Sequence, residues 1–128
     1  MFAYLTGEIT QIDEEAVVLE VSDVGYEIFM PKSDMDLLSV GGDVVRIYIH
    51  FQVREDAFTL YGFLTKEEKD VFRKLISVNK IGPKGAMAIL SELGCDGLYS
   101  AIIADDAKSI SKAQGIGLKT AQRVIIDL

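Results

Sequence analysis

Lys80-Ile81-Gly82-Pro83-Lys84-Gly85-Ala86 and Gly115-Ile116-Gly117-Leu118-Lys119-Thr120-Ala121 repeat one pattern at an offset of 35 residues. Around them Leu75 matches Ile110, Ile89 matches Val124, Leu90 matches Ile125 and Leu93 matches Leu128. Agreement of apolar positions and glycine placement at a fixed offset indicates a duplicated supersecondary unit. Each copy reads as a helix, a tight turn containing apolar-Gly-x-Lys, and a second helix that starts beside the glycine.

A glycine at such a corner lets another backbone approach closely. The helix N-terminus behind it presents unpaired N–H groups and a partial positive charge, so the turn can hold a phosphate oxygen without reading a base. Lys84 and Lys119, two residues past Gly82 and Gly117, can add charge-assisted contacts to the same phosphate or its neighbour. This is the helix-hairpin-helix pattern of proteins that hold the DNA backbone, although Gly-x-Gly and Gly-Pro turns also join ordinary packed helices. The second copy and its lysine favour the phosphate reading. Ala86, Ile89, Leu90 and Leu93 with Ala121, Val124, Ile125 and Leu128 are expected to form a mutual core that fixes the two hairpins side by side.

On the N-terminal side of the repeat the helical period begins at Thr65. Thr65-Lys66-Glu67-Glu68 has capping-box spacing, and Val71, Phe72, Leu75 and Ile76 form an apolar stripe, which predicts a helix from about Lys66 to Ser77. Further helices are expected at about Pro83 to Leu93, Gly97 to Ala104, Ala107 to Lys112 and Leu118 to the end. Before Thr65 the pattern is that of strands: Phe2 to Gln11, Ala16 to Val21, Tyr26 to Met30, Val44 to Arg54 and Phe58 to Phe63. Asp13-Glu14-Glu15 and Asp23-Val24-Gly25 read as turns, and Gly41-Gly42-Asp43 opens the fourth strand. Ser33-Asp34-Met35-Asp36 offers an N-cap and first-turn acids for one short helix. Five short strands with a small helix after the third predict an all-β OB-fold barrel over residues 1–64, because closing the sheet removes the edges that isolated strands expose. An all-α tandem helix-hairpin-helix domain is expected over 65–128.

Composition agrees with two jobs. The 128 residues are 49% apolar and 26% charged, as in a globular chain. The net charge of −7 argues at first against a polyanionic partner, but it is unevenly placed. Residues 1–64 carry three basic groups against twelve acidic ones, a net of −9, whereas residues 65–128 carry ten against eight, a net of +2. One cysteine, Cys95, and one histidine, His50, cannot assemble a disulfide or a Cys/His zinc site, so no metal and no cofactor is expected. The uninterrupted apolar runs fall short of a membrane span, no basic leader precedes them, and the chain reads as cytoplasmic.

With the duplicated hairpin, the opening Met1-Phe-Ala-Tyr-Leu-Thr-Gly, the stretch His50-Phe51-Gln52-Val53-Arg54-Glu55-Asp56-Ala57, Leu60-Tyr61-Gly62-Phe63 and Asn79 ahead of the first turn, the chain strongly resembles the RuvA family along essentially its whole length. The resemblance implies a Holliday-junction-recognition subunit of the bacterial branch-migration machine, acting in recombination and DNA repair. It implies that four barrels associate as a homotetramer and that paired hairpins grip junction arms from the minor-groove side. DNA would meet Lys80, Gly82, Lys84, Gly115, Gly117, Lys119 and Arg123, with Gln114 beside them. Glu55 and Asp56 match the family's acidic pin, a carboxylate pair at the centre of the tetramer. Carboxylates facing phosphates repel them, which would hold the crossover open.

Family members also carry a linker and a third helical domain that recruits a RuvB-type hexameric ATPase, with a RuvC-type resolvase as a further partner. This chain stops at Leu128 inside an amphipathic helix and is expected to be a fragment. It departs from the family at Lys80, where a glycine is usual, and at Gln114, where a proline is usual. If position 80 needs positive φ, lysine is strained there, and its ammonium can offset this by meeting phosphate.

Two other functional classes compete with this reading. An enzyme would need a nucleophile, a metal-binding carboxylate cluster or a nucleotide-phosphate motif, and none is recognisable; Asp13, Glu14 and Glu15 read as a solvated turn and His50 as a packing or hydrogen-bonding residue. The hairpins would then be an accessory module of a repair enzyme. An OB-fold single-strand binder would need a basic groove with exposed aromatics. Only three basic groups lie in that half, and Phe51, Phe58, Tyr61 and Phe63 are expected in a core or interface.

Overall fold

A computed structural model describes residues 1–128 and divides them into two units, Met1–Lys69 and Asp70–Leu128. The first is a closed five-stranded barrel. Its strands are β1 (Tyr4–Ile12), β2 (Ala16–Val21), β3 (Val24–Phe29), β4 (Val45–Val53) and β5 (Phe58–Phe63), with α1 (Lys32–Met35) between β3 and β4. Neighbours run β1-β2-β3-β5-β4 and close back on β1. All pairings are antiparallel except β3 with β5, a parallel seam of only Ile28↔Leu60 and Phe29↔Tyr61. The expected OB-fold is thus present, with the helix where it was placed.

Alternation along the strands sends one face inward. Ile9, Val17, Leu19, Ile28, Ile47 and Ile49 interlock inside the barrel with Met30 and with Met35 from α1. Each fully buried side chain of this size contributes about 1.5–3 kcal/mol of transfer free energy. His50 is part-buried and its Nε2 lies 2.9 Å from Gln52 Oε1, a hydrogen-bonding residue as anticipated.

Two local expectations need correction, the β2–β3 turn and the cap of α1. The β2–β3 turn is Ser22-Asp23, both with positive φ (50° and 67°), and Val24 and Gly25 already pair in β3 with Val21 and Glu20. A two-residue hairpin of type I′ has such a left-handed pair, and here a serine and an aspartate adopt it in place of glycine. Helix α1 begins after Pro31 with no side-chain cap. Asp34 stands in the first turn of α1 as expected, and it is also buried, only 6% exposed, where it accepts a hydrogen bond from the Leu64 N–H at 3.1 Å. Phe58, expected in a core or interface, is 75% exposed at the start of β5 and so is not core within this chain.

The capping box at Thr65 forms in a modified way. Glu68 N–H donates to Thr65 Oγ1 (3.1 Å), and the Thr65 hydroxyl in turn donates to Glu68 Oε1 (3.0 Å). Glu68 is half-buried, and its carboxyl is pushed up to about 7, first by burial, then by the hydrogen bond and charge of Asp34, with the Thr65 bonds opposing. A folded-state pKa above the ordinary 4.5 gives stability that is complete below pH 4.5 and lost as pH rises through about 7. Solvent reaches part of the group and screens the effect, so raising the pH from about 5 to about 8 is expected to remove about 1–2 kcal/mol, read by urea denaturation at both values. Glu68→Gln should flatten the difference. An equal loss in the variant would place the pH dependence elsewhere.

The second unit is helical: α2 (Lys66–Ile76), which begins in the first unit, α3 (Pro83–Ile103), α4 (Ala107–Ser111) and α5 (Leu118–Asp127). The two helices expected between Pro83 and Ala104 are one span broken at Gly94 (φ 68°, ψ 177°). By length and composition alone α3 would suffice to cross a bilayer, with mean hydropathy 1.3. Its apolarity is explained by Ala86, Ile89, Leu90 and Leu98, which are fully buried with Phe72, Leu75, Ile110, Ala121 and Val124. Leu128, expected in that core, is 37% exposed, and Leu93 and Ile125 are only partly buried. Asp106 caps α4, its Oδ1 accepting from Ser109 N–H at 3.2 Å.

Candidate nucleic-acid interface

The duplication seen in the sequence is reproduced bond by bond. In the first copy Val78 N–H donates to Leu75 O, Ile81 N–H to Val78 O and Ala86 N–H to Gly82 O, at 3.0, 3.1 and 3.0 Å. In the second, Ala113 donates to Ile110, Ile116 to Ala113 and Ala121 to Gly117, at 3.1, 3.1 and 2.9 Å. Each turn thereby buries one apolar residue, Ile81 or Ile116, as a peg beneath the corner. The corners are held side by side: a Cβ added at Gly85 would stand 3.1 Å from Ile116 Cδ1.

What remains outside is polar backbone and cations. Gly82, Lys84, Gly115, Gly117 and Lys119 are all exposed, with Lys80, Gln114 and Asn79 beside them. Gly82 and Gly117 are the N-caps of α3 and α5 and have extended backbone that any residue adopts. No protein atom lies within 4 Å of where their Cβ would be. Neither conformation nor packing inside the chain therefore calls for glycine at these corners; a side chain would obstruct only something arriving from outside. The helix N-termini behind them leave backbone donors open to an anion.

The cations are not equally available. Arg123, grouped with the gripping residues, has its Nε 3.2 Å from Asp127 Oδ2 within α5. Lys112, which motif reading passed over, is an exposed cation at the C-cap of α4 ahead of the second turn. Its charge, with that of Lys108, helps hold the Asp106 carboxyl below the usual range, after the larger effect of the Ser109 hydrogen bonds. A lysine in the last turn before a glycine corner is the signal that would have found it.

In the barrel unit, Glu55 and Asp56 occupy the tip of the β4–β5 hairpin. Val53 pairs with Phe58, and Arg54 N–H donates to Ala57 O at 2.9 Å, so the loop is short and closed. Both carboxylates are exposed. On the adjoining wall Phe58 packs on Phe51 (ring centroids 5.8 Å), which meets Phe2 edge-on at 5.5 Å. No group of three or more His, Cys, Asp or Glu is placed to hold a metal ion.

Comparison with known proteins follows the same division. The family described as RuvA N terminal domain matches residues 1–62, and the SAM-like helix-hairpin-helix tandem matches residues 72–128. The protein named Holliday junction branch migration complex subunit RuvA from Thermoanaerobacter sp. (strain X514) is 43% identical over 128 residues, all of this chain and 68% of the relative. Its namesakes from Ruminiclostridium cellulolyticum and Acetivibrio thermocellus are 41% and 44% identical, with 64% and 63% of their lengths covered. The chain thus spans about two thirds of the length of these relatives. A five-stranded barrel followed by two equivalent glycine corners, matched without interruption to relatives of this kind, shows that the chain belongs to the RuvA family.

Proposed function

We propose that this chain is the DNA-recognition scaffold of a branch-migration complex. It binds four-way (Holliday) junction DNA by backbone shape, without reading base sequence and without catalysing a reaction. The observation that carries this reading is the paired corner: two exposed glycine N-caps with open space before them, each followed two residues later by an exposed lysine. Such corners suit phosphates and are indifferent to bases. Gly82, Lys84, Gly115, Gly117 and Lys119 take the sugar-phosphate strands, Lys80 and Arg123 supply further charge, and the barrels assemble a homotetramer. Its relatives are named as subunits of a branch migration complex, which supports membership of such a complex, and the family resemblance implies a separate hexameric ATPase as its motor.

In this scheme Glu55 and Asp56 line the middle of the tetramer and repel phosphate, so continuous duplex is disfavoured where strands must exchange. The test is competition between a labelled synthetic junction and plain duplex of equal length. Wild type should prefer the junction, and Glu55→Gln with Asp56→Asn should bind duplex about tenfold better relative to junction, the equivalent of removing roughly 1.4 kcal/mol of repulsion. An unchanged preference would remove the pin from the mechanism. The exposed Phe58, with the exposed Tyr4 under Arg46, favours a single-strand binder. A third competitor of unpaired DNA addresses it, because displacement of junction by single strands at equal concentration would make that the better reading.

A further inference from the structure

The two corners match in backbone and differ in chemistry. Lys80 stands where Gly115 stands in the repeat, and both are left-handed, with φ of 71° and 82°. That conformation is free for glycine, whereas a side chain there crowds the backbone, so lysine holds the position against a strain that Gly115 avoids. Strained backbone of this kind concentrates at functional positions.

A second difference lies one step on. Helix α3 starts with Pro83, which has no N–H, whereas α5 starts with Leu118, which has one. The first corner therefore offers one fewer backbone donor to an incoming oxygen. The third difference is charge. Lys80 and Lys84 are both exposed and neither meets a carboxylate, whereas in the second copy Arg123 is engaged by Asp127 and Lys112 lies in the field of Asp106. Lys119 is left as that corner's available ammonium.

The geometry points to a division of labour between the hairpins. The first holds the nucleic-acid backbone chiefly by ammonium charge, with Lys80 as an added phosphate-contacting residue in place of the donor that Pro83 lacks. The second holds it chiefly by backbone N–H groups. This rests on the hairpin reading above and adds to it which corner is sensitive to salt. An ammonium that neutralises a phosphate releases a condensed counterion, and a neutral amide releases none, so the salt dependence of binding should reside mainly in the first corner.

Three variants of the 128-residue chain separate charge from backbone strain. Lys80→Gly removes both, Lys80→Gln removes the charge and keeps the strain, and Lys80→Arg keeps both. Each is assayed for thermal midpoint and for affinity to a fluorescent four-way junction between about 50 and 200 mM salt. Lys80→Gly should melt several degrees higher than wild type and yet bind more weakly. For both neutral variants the slope of log affinity against log salt should flatten by about 0.9 per chain, so that raising salt costs them about threefold less than it costs wild type. Lys80→Arg should retain the wild-type slope. A higher melting point with unchanged affinity and slope in Lys80→Gly would overturn the proposal and leave Lys80 as strain without a ligand. Failure of the hairpin reading itself looks different: Lys84→Ala and Lys119→Ala would then also leave binding unchanged, and the division of labour would fall with it.

Discussion

Alanine at Gly7 is expected to abolish the barrel rather than weaken it. A Cβ at this position would fall on the Glu20 carbonyl oxygen, with the Glu20 carbonyl carbon and Val21 Cγ2 both at 3.0 Å. Backbone cannot rotate aside as a side chain can. Gly7 also pairs with Val45 while its neighbour Glu8 pairs with Glu20, so β1 is held by β4 on one edge and β2 on the other. Relieving the clash means parting one of those pairings. The expected loss is at least about 3–4 kcal/mol, at the severe end for a single substitution and enough to exhaust much of a small domain's stability. Far-ultraviolet circular dichroism should show strand content lost at 25 °C, and guanidinium denaturation should show no barrel transition. Gly25→Ala is the control, because its Cβ would press only on the movable Val18 Cγ1, at 3.1 Å, and should cost little. A cooperative, wild-type-like transition in Gly7→Ala would mean that β1 and β2 can separate without opening the barrel.

The second large effect concerns binding. Lys84→Ala combined with Lys119→Ala takes one exposed ammonium from each corner and leaves the buried pegs Ile81 and Ile116 untouched. Charge-assisted contacts of this kind are worth about 1.5–3 kcal/mol each, so junction affinity is expected to fall on the order of a hundredfold or more, uniformly across sequences. The salt slope should flatten by about 1.8 per chain. Fluorescence anisotropy against two junctions of unrelated sequence measures both quantities. Wild-type affinity and slope in the double variant would show that these lysines do not face DNA.

Much of this was legible because repetition is a strong signal. The offset between Gly82 and Gly117 located both corners and the helices behind them, while the burial of Ile81 and Ile116 beneath the corners belongs to the three-dimensional turn. The barrel was legible for a different reason: strands closed on themselves bury one face, and Ile47 and Ile49 or Val17 and Leu19 alternate accordingly. What the sequence left hidden lies where a residue acts against its type. Ser22-Asp23 adopts a turn usually given to glycine, and Gly25 beside it drew the reading one step too far along. Asp34 reads as a first-turn acid, which it is, but its hydrogen-bond partner, Leu64, is 30 residues away, a contact that no local pattern encodes. Phe58 has the composition of a core residue and the position of a rim residue. The strain at Lys80 was open to anticipation only through the glycine that the resembled family usually carries there, since nothing about Asn79-Lys80-Ile81 by itself demands a left-handed backbone.

The short closure between Arg54 and Ala57 has a mechanical consequence. A long flexible loop carrying two carboxylates would let them drift, and an approaching polyanion could push them aside at little cost. Here the ladder reaches Val53 and Phe58 and a further bond spans the next pair, so Glu55 and Asp56 have few conformers to retreat into. The negative charge is mounted like a fixed post instead of hung on a tether. Whatever meets it must move itself.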